Sequence, residues 1–337
     1  MVKKSDVVHV LFRSGLDKMP PRETGEAFAP TNIALCKYWG KRDAELNLPM
    51  TSSLSISLDQ KGATTKLSLL HDKPHDVITL NGKEVALDKP FAKRITAYLD
   101  LFRPQKNWHL QVDTTLTIPV SAGLASSASG FASLALALND LFDWNCSKRN
   151  LSILARLGSG SATRSLWHGF VEWNAGVQPD GMDSYGEPLT VEWPEFCIGI
   201  LMVSDREKKV SSREAMQRTM DSSMLYGNWP KKVATDLVIL KQSLKVRNFS
   251  LLGGVAESNA LAMHATMLSS WPPICYFLPE TVQAMHKVWE VRGKGLELYF
   301  TQDAGPNLKL MFLEKDIGKV KVHFPLMEVI KPFVLSS

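Results

Sequence analysis

Apolar residues alternate with polar ones in several short stretches of the chain, and they follow a helical period in much of its second half. Alternation over 53–58 and 63–69, on either side of the turn-like residues 59–62, predicts a β-hairpin. Further strands are predicted over 108–118, 166–173, 196–204, 297–301 and 308–313. Apolar positions three and four residues apart predict helices over 90–103, 125–143, 148–157, 212–224, 230–246, 251–267 and 279–293.

These strands and helices do not alternate regularly, which predicts an α+β fold rather than a doubly wound parallel sheet. A chain of 337 residues can bury a large core and form two lobes. A lobe boundary is plausible near 185–195. We therefore predict an irregular N-terminal extension over 1–27, an N-terminal lobe over 28–190 and a C-terminal lobe over 191–337.

Composition and charge narrow the classes of function. The net charge of +5 comes from basic residues interleaved with acidic ones, without the clustered tract that nucleic-acid binding needs. A small anionic substrate needs only a few converging cations. No apolar run approaches the roughly 18 residues of a membrane span, and the first residues lack the features of a secretory signal. Four widely separated cysteines without a Cys-x-x-Cys pair are typical of reduced thiols in a cytoplasmic protein, and indicate neither a disulfide framework nor a zinc site.

A loop of small residues, 119–130, lies between a predicted strand and an amphipathic helix. Such a loop exposes backbone N–H groups at the positive end of the helix dipole, which suits phosphate binding. Ser126 or Ser127 is a natural N-cap, and the serine hydroxyls could also help to hold Mg²⁺. The segment is not a P-loop, because no Gly-Lys-Ser/Thr follows the glycine. On spacing alone, phosphate binding and a closely packed helix start are equally good interpretations.

Two cations stand out in the first half of the chain. If residues 32–39 form a strand, Lys37 shares a face with apolar side chains, so its ammonium needs an anion or a carboxylate; the alternative is a lysine that extends to solvent at a strand end. Arg164 follows the small residues 158–162 and offers a planar fork suited to phosphate oxygens, whereas the alternative is a flexible turn with a surface arginine.

Two further segments lie in the second half. The mixed charges of 204–213 are by themselves typical of a solvated loop. Asp303 lies on a tight turn directly after an apolar strand, where it is well placed for catalysis, although Asp-x-Gly-Pro is also a common turn composition. Glu257 and His264 are interpreted as structural.

Taken together and in this order, the segments resemble the mevalonate diphosphate decarboxylases of the GHMP kinase superfamily, from about residue 29 to about residue 312. The motifs that carry the resemblance are Asn32-Ile-Ala, Lys37-Tyr-Trp-Gly-Lys41, Ala122-Gly-Leu-Ala-Ser-Ser127, Gly158-Ser-Gly-Ser-Ala, Arg164-Ser165, Val210-Ser-Ser-Arg213, His264-Ala-Thr266 and Asp303-Ala-Gly-Pro-Asn307. The resemblance implies a two-lobed GHMP kinase fold with the active site in the cleft between the lobes, the N-terminal lobe binding ATP. It also implies ATP-dependent decarboxylation of mevalonate 5-diphosphate to isopentenyl diphosphate in the mevalonate route of isoprenoid biosynthesis.

The resemblance also assigns roles to residues. Asp303 would orient or deprotonate the tertiary hydroxyl, and Lys37 would neutralise developing phosphate charge. The substrate's diphosphate and carboxylate would be held by Tyr38, Lys41, Ser159, Ser161, Arg164, Ser212 and Arg213. The ATP phosphates would be bound by Ala122, Gly123, Leu124, Ala125, Ser126 and Ser127, with Ser126 or Ser127 near Mg²⁺. Homodimers are common in this family, although no stretch of the chain identifies an interface.

Alternative functions remain open at this point. A related enzyme of the same fold acts on mevalonate 5-phosphate or on mevalonate, as a decarboxylase or as a kinase that stops after phosphoryl transfer. A non-catalytic ligand-binding homologue would be expected to have lost Asp303, Lys37 or the small-residue loop, and all three are present. The presence of both Lys41 and Arg164 favours the longer diphosphate group.

Overall fold

The computed structural model describes residues 2–12, 18–71, 73–105, 107–117, 126–206 and 208–333, without the side chain of residue 126. The strands are β1 (Thr24–Cys36), β2 (Lys41–Asp43), β3 (Leu48–Pro49), β4 (Ser53–Leu70), β5 (Val77–Leu80), β6 (Lys83–Glu84), β7 (His109–Leu116), β8 (Phe170–Trp173), β9 (Gly186–Pro188), β10 (Phe196–Leu201), β11 (Tyr299–Gln302), β12 (Leu308–Leu313) and β13 (Glu328–Ile330). The helices are α1 (Lys4–Phe12), α2 (Pro90–Leu99), α3 (Ser126–Leu141), α4 (Lys148–Gly158), α5 (Ser212–Ser222), α6 (Trp229–Lys245), α7 (Phe249–Leu268), α8 (Pro279–Gly293) and α9 (Ile317–His323). The mixture confirms the predicted α+β class.

The larger sheet is organised around β4, which pairs with β1, β7 and β8 in a sheet of order β6-β5-β7-β4-β8-β9. The predicted hairpin at 53–69 is wrong, because β4 is one strand of 18 residues. The register to β1 passes from Pro30↔Gly62 to Asn32↔Ser57, so four residues of β4 lie opposite one residue of β1. Residues 58–61 therefore form a bulge, with Asp59 at a φ of 50°, and the turn-like composition bends the strand instead of reversing it.

The N-terminal segment is not the irregular extension predicted for 1–27. Lys4–Phe12 forms a helix, and β1 already begins at Thr24. Val7 and Val8 are fully buried against the core under α2, α3 and α4, and the ring of Phe12 packs on that of Trp144 with centroids 4.3 Å apart. A nine-residue helix is marginal in isolation, so this packing is what stabilises it.

The second sheet has the order β11-β12-β10-β13, and all of its neighbouring strands are antiparallel. Its core continues into that of the first sheet: Ile33 and Leu35 of β1 lie in the same apolar cluster as Ile198 of β10, Leu240 of α6 and Leu252 of α7. Helix α7 also contacts β1 directly. The end of β1 and the end of β11 are thereby brought to one place.

The other predicted elements are present to within a few residues, with α8 and β12 at the predicted bounds. In the part of the chain that the structure describes, seven short elements had no predicted counterpart, namely β2, β3, β5, β6, β9, β13 and α9. The predicted strand over 166–173 begins only at Phe170, because the residues before it form a turn ending at Gly169, whose φ is 74°. Among the described residues, no helix is long and apolar enough to cross a membrane.

Candidate active site

Lys37 lies directly after β1, which ends at Cys36 and not at residue 39. Its backbone N–H leaves the sheet and donates to Asn259 Oδ1 of α7 at 2.8 Å. The side chain is 2% exposed, and its Nζ donates to Ala34 O and to Asp303 Oδ1, both at 2.8 Å. Burial lowers the pKa of Lys37, while the charge of Asp303 opposes that effect. The lysine is therefore a buried cation with a carboxylate partner, as the apolar face predicted, and not a side chain that extends to solvent.

Asp303 lies on the turn that follows β11, and Gly305 N closes the turn by donating to Asp303 O at 2.8 Å. Two lysines hold its carboxylate, with Lys37 Nζ 2.8 Å from Oδ1 and Lys309 Nζ 3.1 Å from Oδ2. Burial on its own would raise the pKa of Asp303, but the charges of Lys309 and Lys37 outweigh it and hold the pKa well below its usual value. Asp303 is therefore an ionised hydrogen-bond acceptor throughout the neutral pH range.

Lys309 is a site residue that sequence reasoning missed. It is the second residue of β12, Leu-Lys-Leu-Met-Phe-Leu, and is only 1% exposed. A lysine inside an apolar strand directly after the Asp303 turn carries the same signal that singled out Lys37, since a buried ammonium needs an anion. That signal was available in the sequence.

His264 of α7 supports the main chain of the Asp303 turn. Its Nε2 lies 3.1 Å from Asp303 O, and its ring stacks on Phe277 with centroids 4.7 Å apart. Burial, followed by the charge of Lys37, lowers the pKa of His264 to about 3, so the neutral ring donates from Nε2 to the carbonyl. This contact supports the structural interpretation of His264.

Arg164 is buried, not a surface arginine, with 2% exposure. Its Nε and one Nη lie 3.3 Å from Asn32 Oδ1, and the other Nη donates to Ser53 Oγ. Among the described residues, no carboxylate forms an ion pair with it. Burial lowers the pKa of Arg164 to about 10, and Asp303 is the first of the charges that oppose the effect. Arg164 is therefore a fixed cation without an ion-pair partner among the described residues, near the Asp303 carboxylate, an arrangement that suits an anionic ligand.

Three serines and a tyrosine lie close to Arg164. Ser159 Oγ donates to Ser127 Oγ at 3.3 Å and lies 3.4 Å from Ser161 Oγ, so the start of α3 meets the segment after α4. The ring of Tyr38 packs on Trp173 with centroids 4.7 Å apart, and its buried hydroxyl has no hydrogen-bond partner among the described residues. These hydroxyls are available to a ligand.

Part of the charged segment 204–213 lies beside the Asp303 turn. Lys208 Nζ donates to Ser212 Oγ at 2.7 Å and to Ala304 O at 3.0 Å. Ser211 caps α5 by accepting from Glu214 N, so Ser212 and the exposed Arg213 lie in the first turn of that helix. Lys208 is thus a second cation that sequence reasoning did not single out, because a mixed charge run resembles a solvated loop.

Lys41 lies on β2, away from the Lys37–Asp303 pair. Its Nζ donates to Asn47 Oδ1 at 2.7 Å. Burial and then the charge of Arg213 lower the pKa of Lys41 to about 8. Lys41 and Arg213, assigned together to the anionic end of the substrate, therefore act on each other in the structure.

Comparison with known proteins identifies the family to which the chain belongs. Residues 29–186 match the diphosphomevalonate decarboxylase-like N-terminal domain, and residues 198–332 match the mevalonate 5-diphosphate decarboxylase C-terminal domain. The chain belongs to the diphosphomevalonate decarboxylase family. The diphosphomevalonate decarboxylase of Aspergillus fumigatus is 38% identical over 312 residues, which cover 86% of this chain and 76% of that protein. The Saccharomyces cerevisiae enzyme is 33% identical over 316 residues, covering 88% and 80%.

Solved structures of diphosphomevalonate decarboxylases have the same fold. Mevalonate diphosphate decarboxylase from Staphylococcus aureus superposes with a TM-score of 0.86 at 36% identity, covering 92% of this chain and 95% of that one. The complex of MDDEF with MVAPP, AMPPCP and magnesium superposes with a TM-score of 0.85 at 40% identity, covering 91% and 95%. Helix α1 precedes both of the matched family domains.

Most of the segment predicted to bind the ATP phosphates, 122–127, lies outside the described residues. The residues concerned are Ala122, Gly123, Leu124 and Ala125, together with the side chain of Ser126. Helix α3 begins at Ser126, and Ser127 is the member of the set whose hydroxyl is described. The assignment of 122–127 to the ATP phosphates therefore stays a prediction. Among the described residues, no group of three or more His, Cys, Asp or Glu side chains could hold a metal ion.

Proposed function

We propose that this chain catalyses the ATP-dependent decarboxylation of mevalonate 5-diphosphate to isopentenyl diphosphate, with release of ADP, phosphate and CO₂. The observation that carries the proposal is the ionised Asp303 carboxylate held between Lys37 and Lys309, with Arg164 nearby. Family membership supports it, since the relatives named above are diphosphomevalonate decarboxylases. A structural neighbour binds MVAPP together with an ATP analogue and magnesium, which supports ATP and Mg²⁺ as cofactors.

The reaction needs phosphorylation because a tertiary hydroxide is a poor leaving group. Transfer of a phosphoryl group to the tertiary oxygen turns it into a phosphate, which then leaves with the electrons of the C–O bond. The pair of electrons from the breaking C–CO₂ bond then forms the double bond. ATP supplies the phosphoryl group, and Mg²⁺ bound to phosphate oxygens reduces their mutual repulsion.

Asp303 is proposed to accept a hydrogen bond from the tertiary hydroxyl. Because the two lysines depress its pKa, the carboxylate is a weak base and a well-fixed acceptor. Its first task is therefore orientation of the hydroxyl oxygen, with the proton passing to it late in phosphoryl transfer, when the hydroxyl has become strongly acidic. The pair of lysines keeps Asp303 ionised and aimed.

Lys37 is proposed to bind the oxygen atoms on which negative charge develops. Its Nζ already has two acceptors, Ala34 O and Asp303 Oδ1, which leaves the third N–H available to a phosphoryl or carboxylate oxygen. A cation fixed before the reaction stabilises charge at little reorganisation cost. Lys208, bound to Ala304 O beside the same turn, is placed to help.

The substrate's anionic groups are proposed to bind along the remaining residues. Arg164, with Ser159, Ser161 and the unpartnered hydroxyl of Tyr38, would hold the part of the substrate nearest the reaction centre. The outer phosphate would then meet Lys41, Ser212 and Arg213. The start of α3, with residues 122–127, is proposed to bind the ATP phosphates, and Ser126 or Ser127 is proposed to bind Mg²⁺, which usually keeps few protein ligands.

We also propose that the chain acts in the cytoplasm as a homodimer, with lobes over 28–190 and 191–337. Cys36, Cys146, Cys197 and Cys275 are all free thiols, which supports a reducing compartment. The homodimer is proposed because homodimers are common in the family. Light scattering tests it by measuring the molar mass in solution.

The experiment that tests the function measures CO₂ release and ADP formation by the purified protein with Mg-ATP. Mevalonate 5-diphosphate, mevalonate 5-phosphate and mevalonate are assayed in parallel. Equal amounts of CO₂ and ADP, with the diphosphate as the preferred substrate, are expected. ADP without CO₂ would make the protein a kinase on this fold, and binding without turnover would make it a non-catalytic homologue.

A further inference from the structure

Four cations from four separate elements converge beside Lys41. They are Lys4 of α1, Lys41 of β2, Arg94 of α2 and Arg213 of α5. Burial lowers the pKa of Lys41 to about 8, and the charges of Arg213, Lys4 and Arg94 add to the effect. Burial and the charge of Arg213 lower the pKa of Arg94 to about 10. These side chains therefore share one region, which we call the cationic cluster.

Packing, and not chance exposure, positions Lys4 in the cationic cluster. The fully buried Val7 and Val8 anchor α1 to the N-terminal core. Lys4 N lies 3.5 Å from Glu45 Oε1, on the connection between β2 and β3. The same connection carries Asn47, which accepts from Lys41 Nζ and donates to Arg156 O at 2.9 Å. Helix α1 and the support of Lys41 are thus fastened to the same short connection.

The cluster adjoins the serines assigned to substrate binding. One Nη of Arg94 donates at 3.3 Å to the carbonyl oxygen of Gly158, the residue directly before Ser159. The guanidinium also lies 4.9 Å from the ring centre of Phe131. The cluster therefore borders the segment 158–164, which carries Ser159 and Arg164.

The cationic cluster has little internal compensation. Among the described residues, none of its four members forms an ion pair with a carboxylate. The ammonium of Lys41 donates to the uncharged amide oxygen of Asn47. Glu45 is the acid whose charge acts on Lys4, and it is exposed. Bringing like charges together in a partly desolvated place costs free energy, which a ligand with several negative charges would recover.

The charge of Asp303 acts on Arg164 but is not among the charges that act on Lys41. The charges that act on Lys41 are those of Arg213, Lys4 and Arg94. A ligand that reaches from Asp303 past Arg164 to the cluster therefore ends in the cluster with its most distant anionic group.

We propose that Lys4 of helix α1 binds the terminal phosphate of the diphosphate group and makes the site selective for a diphosphate over a monophosphate. This inference rests on the proposed function, and it adds a residue that lies outside both matched family domains. Arg164 and the neighbouring hydroxyl groups can bind a monophosphate, whereas a terminal phosphate needs the cationic cluster as well. The N-terminal helix thus becomes part of the substrate site.

The test compares Lys4→Gln with Lys3→Gln, which removes the same charge from the exposed neighbouring residue. Binding of inorganic pyrophosphate and of inorganic phosphate is measured by calorimetry, and KM and kcat are measured for mevalonate 5-diphosphate and mevalonate 5-phosphate. Lys4→Gln is expected to weaken pyrophosphate binding and to raise the diphosphate KM by about 10-fold, with kcat unchanged. Phosphate binding and the 5-phosphate KM change less than about 2-fold, and the difference from wild type shrinks as NaCl is raised.

Two further results decide the matter. Lys4→Arg keeps the charge and should restore most of the affinity, and melting temperatures show whether all variants keep α1 folded. Equal effects of Lys4→Gln on both substrates, or an effect no larger than that of Lys3→Gln, would overturn the inference while leaving the proposed function intact. Weakened pyrophosphate binding in a protein that never releases CO₂ would instead keep the Lys4 site and refute the proposed function.

Discussion

Replacement of Lys309 by methionine tests how the Asp303 carboxylate, the proposed acceptor of the tertiary hydroxyl, is kept ionised. Lys309 Nζ lies 3.1 Å from Asp303 Oδ2, and opposite unit charges at that distance attract by about 5 kcal/mol at an effective dielectric constant of 20. The remaining Lys37 and entering solvent screen the carboxylate in the variant, so the ionised form of Asp303 should lose about half of that, about 2–3 kcal/mol of stabilisation. Methionine has nearly the length of lysine and suits the apolar strand β12, so the fold should persist.

The direction of the change in activity with pH follows from the requirement that Asp303 be ionised. In the wild-type protein the depressed pKa keeps Asp303 ionised, and activity should persist as the pH falls. In Lys309→Met the pKa rises, so activity is lost at a higher pH on the acidic side, while the rate at neutral pH falls about 10-fold or more.

The assay is kcat/KM for mevalonate 5-diphosphate between pH 3 and 8, because a rise of about two units from the depressed pKa of Asp303 still leaves the acidic limb below pH 5. Lys315→Met is the matched control, because that lysine is exposed and lies 3.6 Å from Glu297 in a surface ion pair of little energetic weight. An acidic limb that is the same in Lys309→Met as in the control would refute the reasoning that Lys309 sets the ionisation of Asp303.

Three further predictions concern single groups of the site. Asp303→Asn should abolish turnover and preserve ligand binding measured by calorimetry, since the acceptor is lost and the shape is kept; turnover within a few-fold of wild type would remove Asp303 from the mechanism. Arg164→Gln should mainly raise the substrate KM in steady-state assays, because a fixed cation is lost; a fall in kcat alone would contradict its binding role. Pyrophosphate binding at pH 8 should take up about half a proton more in wild type than in Lys41→Arg, because an anion raises the pKa of Lys41 from about 8; calorimetry in Tris and HEPES measures this, and identical proton uptake would exclude Lys41 as the titrating group.

Helix-capping residues and apolar runs in the sequence predicted the bounds of some helices and strands. Helix α8 begins at Pro279 and ends at Gly293, and β12 is an uninterrupted apolar run, so both match the predicted bounds. The bulge at 58–61 was misread because Asp, Gln, Lys and Gly have the composition of a turn, and only the continuous pairing with β1 keeps the strand extended. Helix α1 was missed because its stability comes from tertiary packing of two valines.

The candidate site was predictable in its parts more than in its assembly. Lys37 was marked by its apolar face and Asp303 by its turn, yet the pair is 266 residues apart and only the resemblance to a family linked them. Lys309 carried the same local signal as Lys37 and was passed over. Lys208 could not be separated from its charged neighbours, because its contacts to Ser212 and Ala304 exist only in the folded chain.

The apolar cluster that joins β1 to β10 and α7 has a consequence for how the protein unfolds. Lys37 directly follows a strand of one sheet and Asp303 a strand of the other, so the ammonium of Lys37 meets its carboxylate only when the two sheets are docked, whereas Asp303 also has Lys309 of its own sheet. A partly undocked chain would leave a buried ammonium without its carboxylate, which is costly. Partly docked states are therefore disfavoured, and the Lys37–Asp303 ion pair favours unfolding of the two sheets as one cooperative unit.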